Sequence, residues 1–505
     1  MSLAVLRSRA LAGMEAPCVS VEVHLANGLP ALTIVGLPDA EVREAKDRVR
    51  AALQNAGFEF PMRRITVNLA PADLPKESGR FDLPIAIGIL AASQQIPMRE
   101  LDRFEFAGEL SLSGELLPVR GALAMACAMR SSCGERQRGF ILPQANADEA
   151  ALVHDCEVYP ARTLLQVCAH FTAADAAMRL ARHAPLPQQA PSAFPDFSDV
   201  KGQVTTKRAL EVAAAGSHNV LMIGPPGAGK TMLASRFAGL LPPMTEQEAL
   251  ESATVQSLTG RFTAAQWKVR PFRSPHHTTS GVALVGGGSV PRPGEISLAH
   301  HGVLFLDELP EFDRRVLEVL RQPLESGRVT ISRAAQQADF PASFQLIAAM
   351  NPCPCGYRGH KSSKCRCTSD AVARYQARIS GPLLDRIDMQ IEVAALEPMT
   401  LAAAADGELS CVIAARVLRA RQRQMDRQQV ANNRMSTRDL DRYCKLSPKA
   451  ECALRETMLQ LHWSARAYQR VLKVARTIAD IENADTLSAA HVREAIQHRR
   501  GVYSS

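Results

Sequence analysis

The sequence lacks a long apolar run, which excludes the membrane-spanning helices of an integral membrane protein. The longest run, residues 83–92 of the 505-residue chain, is about half as long as a helix that crosses a bilayer. No sustained apolar segment of the signal-peptide type occurs near residue 1. We therefore expect a cytoplasmic protein with no membrane association.

Cysteine is sparse, and strong net charge, internal repeats and low-complexity tracts are absent. Twelve cysteines in a chain of this length exclude a disulfide-built scaffold, and eight of them lie among apolar neighbours, as small core residues do. The net charge of +8 is mild. It permits a polyanionic partner without requiring one, and a solvated basic surface explains it equally well.

What the chain does contain is the composition of a globular protein, with 46% hydrophobic and 22% charged residues. Its length predicts about two to four domains. In residues 1–182, short apolar runs alternate with helical patterns such as 40–56, which predicts a mixed α/β domain. Residues 183–198 are rich in proline and predict an extended linker. Residues 199–396 form a second domain, and residues 397–505 have helical periodicity throughout.

The most informative feature is a complete phosphate-binding loop of the form GxxxxGK[ST]. It follows an apolar run at 218–223 that predicts a buried strand, and it precedes a helical pattern at 232–241. The glycines allow backbone N–H groups to surround phosphate oxygens, and the helix N-terminus favours negative charge. A glycine-rich turn without function is the alternative, and the agreement of motif and context argues against it. The loop residues are Gly224, Pro225, Pro226, Gly227, Ala228, Gly229, Lys230 and Thr231.

Two residues of this loop and two acidic residues predict the chemistry of ATP hydrolysis. Lys230 is expected to reach the β- and γ-phosphates, and the hydroxyl of Thr231 is expected to bind Mg²⁺. A second apolar strand, 303–306, ends in Asp307 and Glu308. In phosphate-loop enzymes the first acid holds Mg²⁺ through water, and the second orients the attacking water.

Three further polar residues extend the candidate catalytic set. A third predicted strand ends in Asn351, whose amide can position the attacking water beside the γ-phosphate. Arg386 follows it, and Arg466 starts a long predicted helix. Phosphoryl transfer needs positive charge near the transferring group, and a neighbouring subunit often supplies it. Either arginine alone is typical of a surface residue, and their position after the three motifs makes them candidates.

The order of phosphate loop, acidic strand, asparagine, Arg386 and a helical segment with Arg466 resembles that of AAA+ ATPases. The segment DVKGQ is similar to the part of that superfamily near the adenine, which makes Gly202 and Gln203 candidate nucleotide contacts. Segments 270–278 (RPFRSPHHT), GPLLDR and VARTIAD resemble the magnesium-chelatase-like branch. Over nearly its whole length the chain is similar to the ComM/YifB family. The resemblance implies an N-terminal Lon-protease-like α/β domain, an AAA+ αβα core and a C-terminal helical lid.

The long interval between Lys230 and Asp307 contains two polar loops, 273–281 and 286–294, which we expect to be flexible. In the resembled family this region holds an insertion that faces the centre of a ring. Residues 327–333 and 340–344 predict a second hairpin. Such loops can grip a phosphate backbone, and for the adjacent histidines a hydrogen-bonded structural pair is an equal alternative. The candidates for DNA contact are Arg273, His276, His277 and Arg333.

The four remaining cysteines form a close cluster of two CxC pairs. Four thiols at this range in a cytosolic protein favour a tetrahedral Zn²⁺ site, although CxC is tighter than the usual CxxC spacing. His360 could replace one ligand, and free thiols or a redox pair are the alternatives. A zinc ion here would stiffen the segment between the asparagine and Arg386. The four cysteines are Cys353, Cys355, Cys365 and Cys367.

Segments 75–86 and 108–119 resemble the proteolytic domain of Lon proteases. Such an enzyme needs a serine nucleophile and a lysine base within hydrogen-bond reach. The serine position falls at Asp82 and the lysine position at Leu123, so the dyad is lost. Ser78 and Lys76 lie nearby in sequence and are too weak a signal to replace it. The resemblance implies a non-proteolytic scaffold that helps to assemble the ring or to hold DNA.

ATP hydrolysis with Mg²⁺ follows from the residues, whereas DNA as the substrate follows from the resemblance. The ComM/YifB resemblance implies a hexameric helicase that drives branch migration while incoming single-stranded DNA is integrated by homologous recombination. Recombination proteins are then further partners. The alternative is a metal-chelatase-type motor that remodels a protein partner during porphyrin metallation. An ATP-dependent protease is disfavoured by the lost dyad.

Overall fold

The computed structural model of the chain describes residues 2–74, 76–131, 138–184, 194–288, 291–332, 337–359, 364–395, 407–461 and 463–499. The chain divides into two compact units. The first comprises Met1–Ala190, Ala253–Trp267 and Ala334–Asp339, and the second comprises Pro191–Ser252, Lys268–Arg333 and Phe340–Ser505. The phosphate loop and the C-terminal helices therefore share one unit. The boundaries at 182, 198 and 396 stay predictions.

Most of the predicted proline-rich linker, 185–193, lies outside the described residues. Phe197, near its end, is fully buried in the second unit, because an aromatic side chain gains more free energy from the core than from water. Among the described residues, no helix has the length and apolar character that a bilayer crossing requires.

A seven-stranded mixed sheet forms the centre of the first unit. In chain order the strands of this unit, two of which lie outside the large sheet, are β1 (Ser2–Arg9), β2 (Cys18–Ala26), β3 (Ala31–Val35), β4 (Arg64–Ala70), β5 (Phe104–Phe106), β6 (Glu109–Leu110), β7 (Leu116–Leu117), β8 (Gly139–Pro143) and β9 (Glu157–Ala161). The sheet order is β3-β4-β2-β1-β5-β8-β9, and β6 pairs with β7. The neighbours β1, β2 and β4 are antiparallel, and the other pairs in the large sheet are parallel.

Helices cover this sheet, and one of them is buried on all sides. The helices are α1 (Ala40–Asn55), α2 (Asp82–Ala92), α3 (Ala122–Ser131), α4 (Ala147–Ala150) and α5 (Leu164–Thr172). Every residue of α2 is buried, as expected for a helix that is apolar all round. A Cβ on Gly88 would lie 2.5 Å from Cγ2 of Val23, so glycine permits the close approach of α2 to β2. The predicted mixed α/β domain is confirmed.

A five-stranded parallel sheet forms the centre of the second unit. Its strands and the shorter ones around them are β10 (Val220–Ile223), β11 (Phe272–Arg273), β12 (Gly286–Gly287), β13 (Arg292–Pro293), β14 (Val303–Leu306), β15 (Arg328–Ser332), β16 (Gln337–Pro341), β17 (Gln345–Met350) and β18 (Met389–Glu392). The order is β11-β14-β17-β10-β18, and all four neighbouring pairs are parallel. The strands β10, β14 and β17 are buried at every residue, which is typical of a parallel sheet with helices on both faces.

The predicted polar loops of the insertion contain regular structure. Gly281–Val285 is helical, and β12 pairs with β13 in an antiparallel arrangement. Strands β15 and β16 form a two-stranded sheet. The second strand is Gln337–Pro341, whereas the predicted hairpin has its second strand at 340–344.

The last five of the remaining helices confirm the predicted helical C-terminal region. They are α6 (Val204–Gly216), α7 (Lys230–Phe237), α8 (Glu246–Ser257), α9 (Gly281–Val285), α10 (Glu295–Leu298), α11 (Arg314–Glu318), α12 (Arg321–Ser326), α13 (Ser369–Gln376), α14 (Gly381–Leu384), α15 (Ser410–Gln428), α16 (Thr437–Tyr443), α17 (Pro448–Gln460), α18 (Ala465–Ile481) and α19 (Ala489–Gln497). The helix α18 packs against α6, α15 and α19. Asp480 is buried in α18 and accepts hydrogen bonds from Arg427 and Asn432, which compensate its desolvation.

Candidate nucleotide site

The phosphate loop joins the carboxyl end of β10 to the start of α7, as the sequence predicts. Gly227 and Gly229 have φ angles of 75° and 86°, a region that glycine adopts without steric cost. Nothing in the described part of the chain lies within 4 Å of a Cβ built on Gly227, so the loop is open there. A Cβ on Gly224 would instead lie 2.3 Å from the carbonyl oxygen of Val393. The loop is thus an open concavity at a helix N-terminus, which suits a phosphate group.

Lys230 is buried at the first position of α7. Its Nζ donates hydrogen bonds to the carbonyl oxygens of Gly224 at 2.7 Å and Pro225 at 3.0 Å, and to Oδ1 of Asn351 at 3.1 Å. Burial lowers the pKa of Lys230, and two carboxylates at the end of β14 oppose the shift. The ammonium group is therefore held over the loop by weak acceptors, which phosphate oxygens can replace with stronger, charge-assisted bonds.

A hydroxyl and a carboxylate with the chemistry of Mg²⁺ ligands meet beside the loop. Oγ1 of Thr231 donates a 2.7 Å hydrogen bond to Oδ2 of Asp307 at the end of β14. Hard oxygen ligands of this kind are the ones that Mg²⁺ prefers, and phosphate-loop enzymes draw them from the same two places. Glu308 follows with a φ of 51°, and its N–H donates to Oδ1 of Asp307 at 2.9 Å.

The polar ends of three parallel strands meet at one edge of the sheet. The strand β17 lies between β14 and β10, and Asn351 follows it directly. Lys230, which follows β10 and the phosphate loop, contacts Asn351 at the end of β17. The next residue, Thr231, contacts Asp307 at the end of β14, so the ends of all three strands are connected. This arrangement agrees with the roles predicted for these residues, which stay predictions.

Gly202 and Gln203 lie beside the phosphate loop at the start of α6. Both have positive φ angles, 56° and 53°. Nε2 of Gln203 donates to the carbonyl oxygen of Ala394 at 2.6 Å and reaches that of Ala228, in the phosphate loop, at 3.4 Å. Contact of these two residues with adenine stays a prediction.

Arg386 and Arg466 lie at the opposite edge of the same sheet. Both line a cavity of about 530 Å³ together with Asn219, which immediately precedes β10. The phosphate loop follows the other end of β10, and a strand of four residues spans about 13 Å, more than the reach of an arginine side chain. Both arginines therefore line a cavity at the amino-terminal end of β10, whereas the phosphate loop follows its carboxyl end.

The environments of the two arginines differ. Arg386 is 8% exposed. Its Nη2 pairs with Glu325 at 2.6 Å, and it donates to the carbonyl oxygens of Arg321 at 3.1 Å and Pro382 at 2.6 Å. Arg466 is exposed at the second position of α18. One arginine is held in the cavity wall, and the other is open to solvent.

The candidates for DNA contact are only partly available to a ligand. Arg273 forms a two-bond ion pair with Glu295, at 2.6 and 2.7 Å. His276 is exposed, whereas the neighbouring His277 is partly buried and its Nδ1 lies 3.5 Å from Oε2 of Glu308. Arg333 lies outside the described residues. DNA contact by these residues stays a prediction.

The four clustered cysteines converge on one point. The Sγ atoms of Cys353, Cys355 and Cys365 are 3.4, 3.7 and 3.6 Å apart, and all four sulfurs, with that of Cys367, lie within 4.8 Å of one another. His360 lies outside the described residues. A Cβ on the following Gly356 would be 2.6 Å from Cδ of Pro226, so the cysteine segment packs directly on the phosphate loop.

In the first unit, the positions of the protease dyad serve the fold. Asp82 is fully buried at the start of α2 and accepts two hydrogen bonds from Arg48, at 2.7 and 3.2 Å. Burial raises the pKa of Asp82 to about 6, against the effect of Arg48. Leu123 is fully buried in α3. Nζ of Lys76 donates to the carbonyl oxygen of Pro71, and Oγ of Ser78 accepts a hydrogen bond from Nε of Arg80.

Sequence reasoning missed a carboxylate–imidazole cluster formed by Glu251, His300 and His301. The backbone N–H of Ser343 donates to Nδ1 of His300 at 3.0 Å. Neutral His300 therefore carries its proton on Nε2, which faces Glu251 at 3.3 Å, and burial lowers the pKa of His300. The cluster is a hydrogen-bonded support between α8 and β14 rather than a set of free metal ligands. A His-His pair without a spaced partner gives no sequence signal for it.

Comparisons with known proteins agree with the fold and with the sequence motifs. The family "Magnesium chelatase, subunit ChlI" matches residues 196–401, "Subunit ChlI of Mg-chelatase" matches 21–146, and "Magnesium chelatase, subunit ChlI C-terminal" matches 407–499. The uncharacterized protein YifB of Salmonella typhimurium is 50% identical, covering 99% of this chain and 97% of the relative. Competence protein ComM of Haemophilus influenzae is 49% identical, covering 99% and 98%. Lon protease 2 of Bacillus subtilis is 28% identical over 31% of this chain and 33% of the relative.

The partial match to Lon protease 2 agrees with the Lon-like motifs of the sequence. The chelatase families match the phosphate-loop region and the C-terminal helices, and one of them also matches residues 21–146 in the first unit. Relatives of about half-identical sequence align along almost the entire chain. The protein belongs to the ComM/YifB family, a magnesium-chelatase-like branch of the AAA+ proteins.

Proposed function

We propose that this protein is an ATP-hydrolysing DNA motor that works as a ring of six copies and drives branch migration during recombination of incoming DNA. The observation that carries the proposal is the division of the catalytic groups between two edges of one sheet. The phosphate loop and the acidic residues lie at one edge, and Arg386 and Arg466 lie at the other. A complete site then needs a second copy of the chain, and a ring supplies one at every interface.

The residues at the loop have the chemistry for hydrolysis of ATP. Lys230 would bind the β- and γ-phosphate oxygens in place of the carbonyls that it contacts now. Thr231 and Asp307 would hold Mg²⁺, which neutralises the charge that develops on the phosphates. Glu308 would orient the attacking water and accept its proton, and Asn351 would fix the position of that water.

Each site would be completed from the next subunit. The cavity that contains Arg386 and Arg466 is lined by five cationic and three acidic side chains, so it has an excess of positive charge. Positive charge brought to the γ-phosphate from outside stabilises the transition state, and the gain is about a thousandfold or more in rate. Arg386 would leave Glu325 for the phosphate, because phosphate carries more charge than a carboxylate.

DNA is the proposed substrate. Support comes from the name of one relative, a competence protein that is 49% identical over almost the full chain. Arg273, His276, His277 and Arg333 are the proposed contacts in the ring channel, chiefly to phosphates. Recombination proteins are proposed partners, and the cytoplasm, which contains both ATP and chromosomal DNA, is the proposed location.

A structural zinc ion is proposed for the four-cysteine cluster. Tetrahedral Zn²⁺ with bonds of about 2.3 Å to four thiolates requires sulfurs about 3.8 Å apart. The distances among Cys353, Cys355 and Cys365 are 3.4–3.7 Å, close to this value. Because the cluster packs on Pro226 and starts two residues after Asn351, zinc would fix the position of one wall of the nucleotide site.

The second candidate function is a chelatase-type motor that acts on a protein partner. It is supported by the magnesium chelatase families that match both the phosphate-loop unit and the C-terminal helices. The two functions share the nucleotide site and differ in what stimulates hydrolysis, so the stimulating partner distinguishes them.

The test is a junction-migration assay with three-strand and four-strand DNA. The wild-type protein should move both junctions in the presence of ATP and Mg²⁺, and single-stranded or branched DNA should raise its ATPase rate. Glu308→Gln should bind DNA without moving it. Absence of DNA binding and of junction movement, together with stimulation of hydrolysis by a chelatase partner, would favour the second function.

A further inference from the structure

A cavity of about 590 Å³ lies among the C-terminal helices, and it shares no lining residue with the cavity that contains Arg386 and Arg466. It is formed by the end of α15, by the end of α16 with the residues after it, and by α18 with the turn that follows. A cavity of this size is large enough for a small ligand. Two of its lining residues are acidic and five are cationic, namely Arg423, Arg427, Arg442, Lys445 and Arg476.

The inner wall of this cavity holds three arginines around one buried carboxylate. Asp480 accepts two hydrogen bonds from Arg427, at 2.7 and 2.9 Å. Arg476 pairs with the same carboxylate at 3.0 Å, and Nε of Arg423 lies 4.0 Å from it. The second partner of Arg423 is Asp485, which is 94% exposed, so solvent screens that pair. A single buried carboxylate therefore faces three guanidinium groups.

The charge of the cavity wall is not balanced. Counted with Asp480, three acidic groups oppose the five cationic ones, which leaves an excess of two positive charges. Burial lowers the pKa of Arg476, and the charge of Arg427 acts in the same direction, against the attraction of Asp480. An anion in the cavity would stabilise the charged form of Arg476.

Arg442 and Lys445 form the exposed rim of the cavity. Within the described part of the chain, neither side chain forms an ion pair with a carboxylate. The guanidinium carbon of Arg442 lies 5.1 Å from the centroid of the Tyr443 ring, and that of Arg427 lies 5.6 Å from it. A guanidinium group over an aromatic ring keeps its N–H donors in its own plane, where two of them can bind two oxygens of one phosphate.

We propose that this cavity is a phosphate-binding site, separate from the nucleotide site, in which Arg442 and Lys445 contact the ligand and Tyr443 positions Arg442. The excess of two positive charges suits two successive phosphates, and these are found in a nucleic-acid strand and in a free polyphosphate alike. The site itself does not rest on the proposed function. The identity of its ligand as DNA does, and DNA would then have a contact outside the ring channel.

The first experiment measures the binding of a fluorescein-labelled single-stranded oligothymidylate to the full-length protein by fluorescence anisotropy at several salt concentrations. Combining Arg442→Gln with Lys445→Gln should lower the affinity by about five- to tenfold. It should also reduce the slope of log K against log salt by about 1.4, since each phosphate contact to a single strand contributes about 0.7. Both residues are exposed, so the unfolding temperature should stay close to that of wild type.

The matched control removes the same charge from the same helices. Arg419 in α15 and Arg455 in α17 are exposed and do not line the cavity. Combining Arg419→Gln with Arg455→Gln should change the affinity by less than about twofold, because the charge is then lost outside the site. An equal loss of affinity in the two double variants would show that only the overall charge matters, and the proposal would be wrong.

The second experiment tests a free polyphosphate. Inorganic triphosphate is titrated calorimetrically into Lys230→Ala protein, in which the phosphate loop no longer competes, with and without the substitutions of Arg442 and Lys445. Loss of triphosphate binding with unchanged oligonucleotide binding would support the site and assign it to a free polyphosphate. If the substitutions alter neither ligand, or if polyglutamate displaces the ligand as well as triphosphate does, the phosphate site is refuted. A wild-type protein that binds no oligonucleotide would contradict the proposed function, whereas the triphosphate titration would still test the cavity.

The third experiment tests the positioning role of Tyr443. Its hydroxyl donates to the carbonyl oxygen of Arg427 at 3.1 Å, and its ring lies under the guanidinium of Arg442. Tyr443→Leu removes the ring and should lower the affinity for the ligand by about two- to fivefold, the range of one exposed cation–π contact. Tyr443→Phe retains the ring and should restore the wild-type affinity. A Tyr443→Phe protein that binds as weakly as Tyr443→Leu would refute the role of the ring.

Discussion

Replacement of Arg386 by alanine separates catalysis within one subunit from catalysis between two. In its own subunit Arg386 pairs with Glu325 and donates to the carbonyl oxygens of Arg321 and Pro382. In the proposed ring it also contacts the ATP of the neighbour. Arg386→Ala removes both sets of interactions, and separate measurements distinguish the two losses: the free energy of unfolding reports the first and kcat reports the second.

The structural loss comes from one ion pair and two hydrogen bonds. The pair with half-exposed Glu325 contributes at most about 1 kcal/mol, since solvent screens it. Each of the two bonds from the charged guanidinium to a carbonyl contributes about 1.5 kcal/mol. The free energy of unfolding should therefore fall by about 3–4 kcal/mol, which a domain with a stability of roughly 5–15 kcal/mol generally survives. The catalytic loss should be about a thousandfold or more in kcat, equivalent to about 4 kcal/mol.

The assay combines steady-state hydrolysis, thermal unfolding and mixing of variants. Arg386→Ala should unfold at a lower temperature than wild type, and it should hydrolyse ATP only at a background rate. Mixed with Lys230→Ala, which retains the arginine but loses the phosphate-binding lysine, it should recover activity, because about a quarter of the interfaces in randomly assembled rings regain both groups. The matched control is Glu325→Gln, which removes the same ion pair and leaves Arg386 in place.

Two results would refute this reasoning. If Glu325→Gln lost as much activity as Arg386→Ala, the arginine would act through the fold of its own subunit. If the mixture assembled into oligomers and stayed inactive, the two residues would not meet at an interface. A monomer with full activity would lead to the same conclusion.

The other predictions concern the water, the metal and the substrate. Glu308→Gln should bind ATP with wild-type affinity and hydrolyse it slowly, and normal turnover by this variant would contradict the role of the acidic strand. Lys230→Ala should lose nucleotide binding, as measured with a fluorescent ATP analogue. Purified protein should contain about one zinc per chain by elemental analysis, and serine at Cys353 and Cys365 should release it and lower the unfolding temperature. Zinc-free protein from a chelator-free preparation would remove that site. DNA affinity should fall steeply with salt and depend little on base sequence, as measured by fluorescence anisotropy; a salt-independent affinity would exclude phosphates as the main contacts.

Local features of the sequence predicted the parts of the nucleotide site that depend on short-range order. A buried apolar run followed by the glycine-rich loop predicted β10, the loop and α7. The observed strand begins at Val220 rather than at 218, and the observed helix spans Lys230–Phe237 rather than 232–241. Asp307 and Asn351 were predicted at the ends of parallel strands, and both are found there. These predictions succeed because an apolar run, a glycine-rich loop and a polar residue at the end of a strand can each be recognised from a few adjacent residues.

Other predictions needed the tertiary structure. The polar loops of the insertion contain α9 and the pair β12–β13, which no periodicity indicates, because strands of two residues are too short to show one. The fully buried Phe197 lies in a segment that composition alone marked as linker. In both cases contacts with distant residues outweigh the local preference.

The sequence by itself determined the fold class and the family, and it predicted the residues that would surround ATP, because each is encoded in contiguous motifs. Only the tertiary structure decided that Arg386 and Arg466 lie across the sheet from the phosphate loop, that four sulfurs converge beside Pro226, and that His277 contacts Glu308. These three facts depend on strand order and on the packing of segments far apart in the chain. Such long-range geometry results from the burial of the whole core, and no local pattern of residues records it.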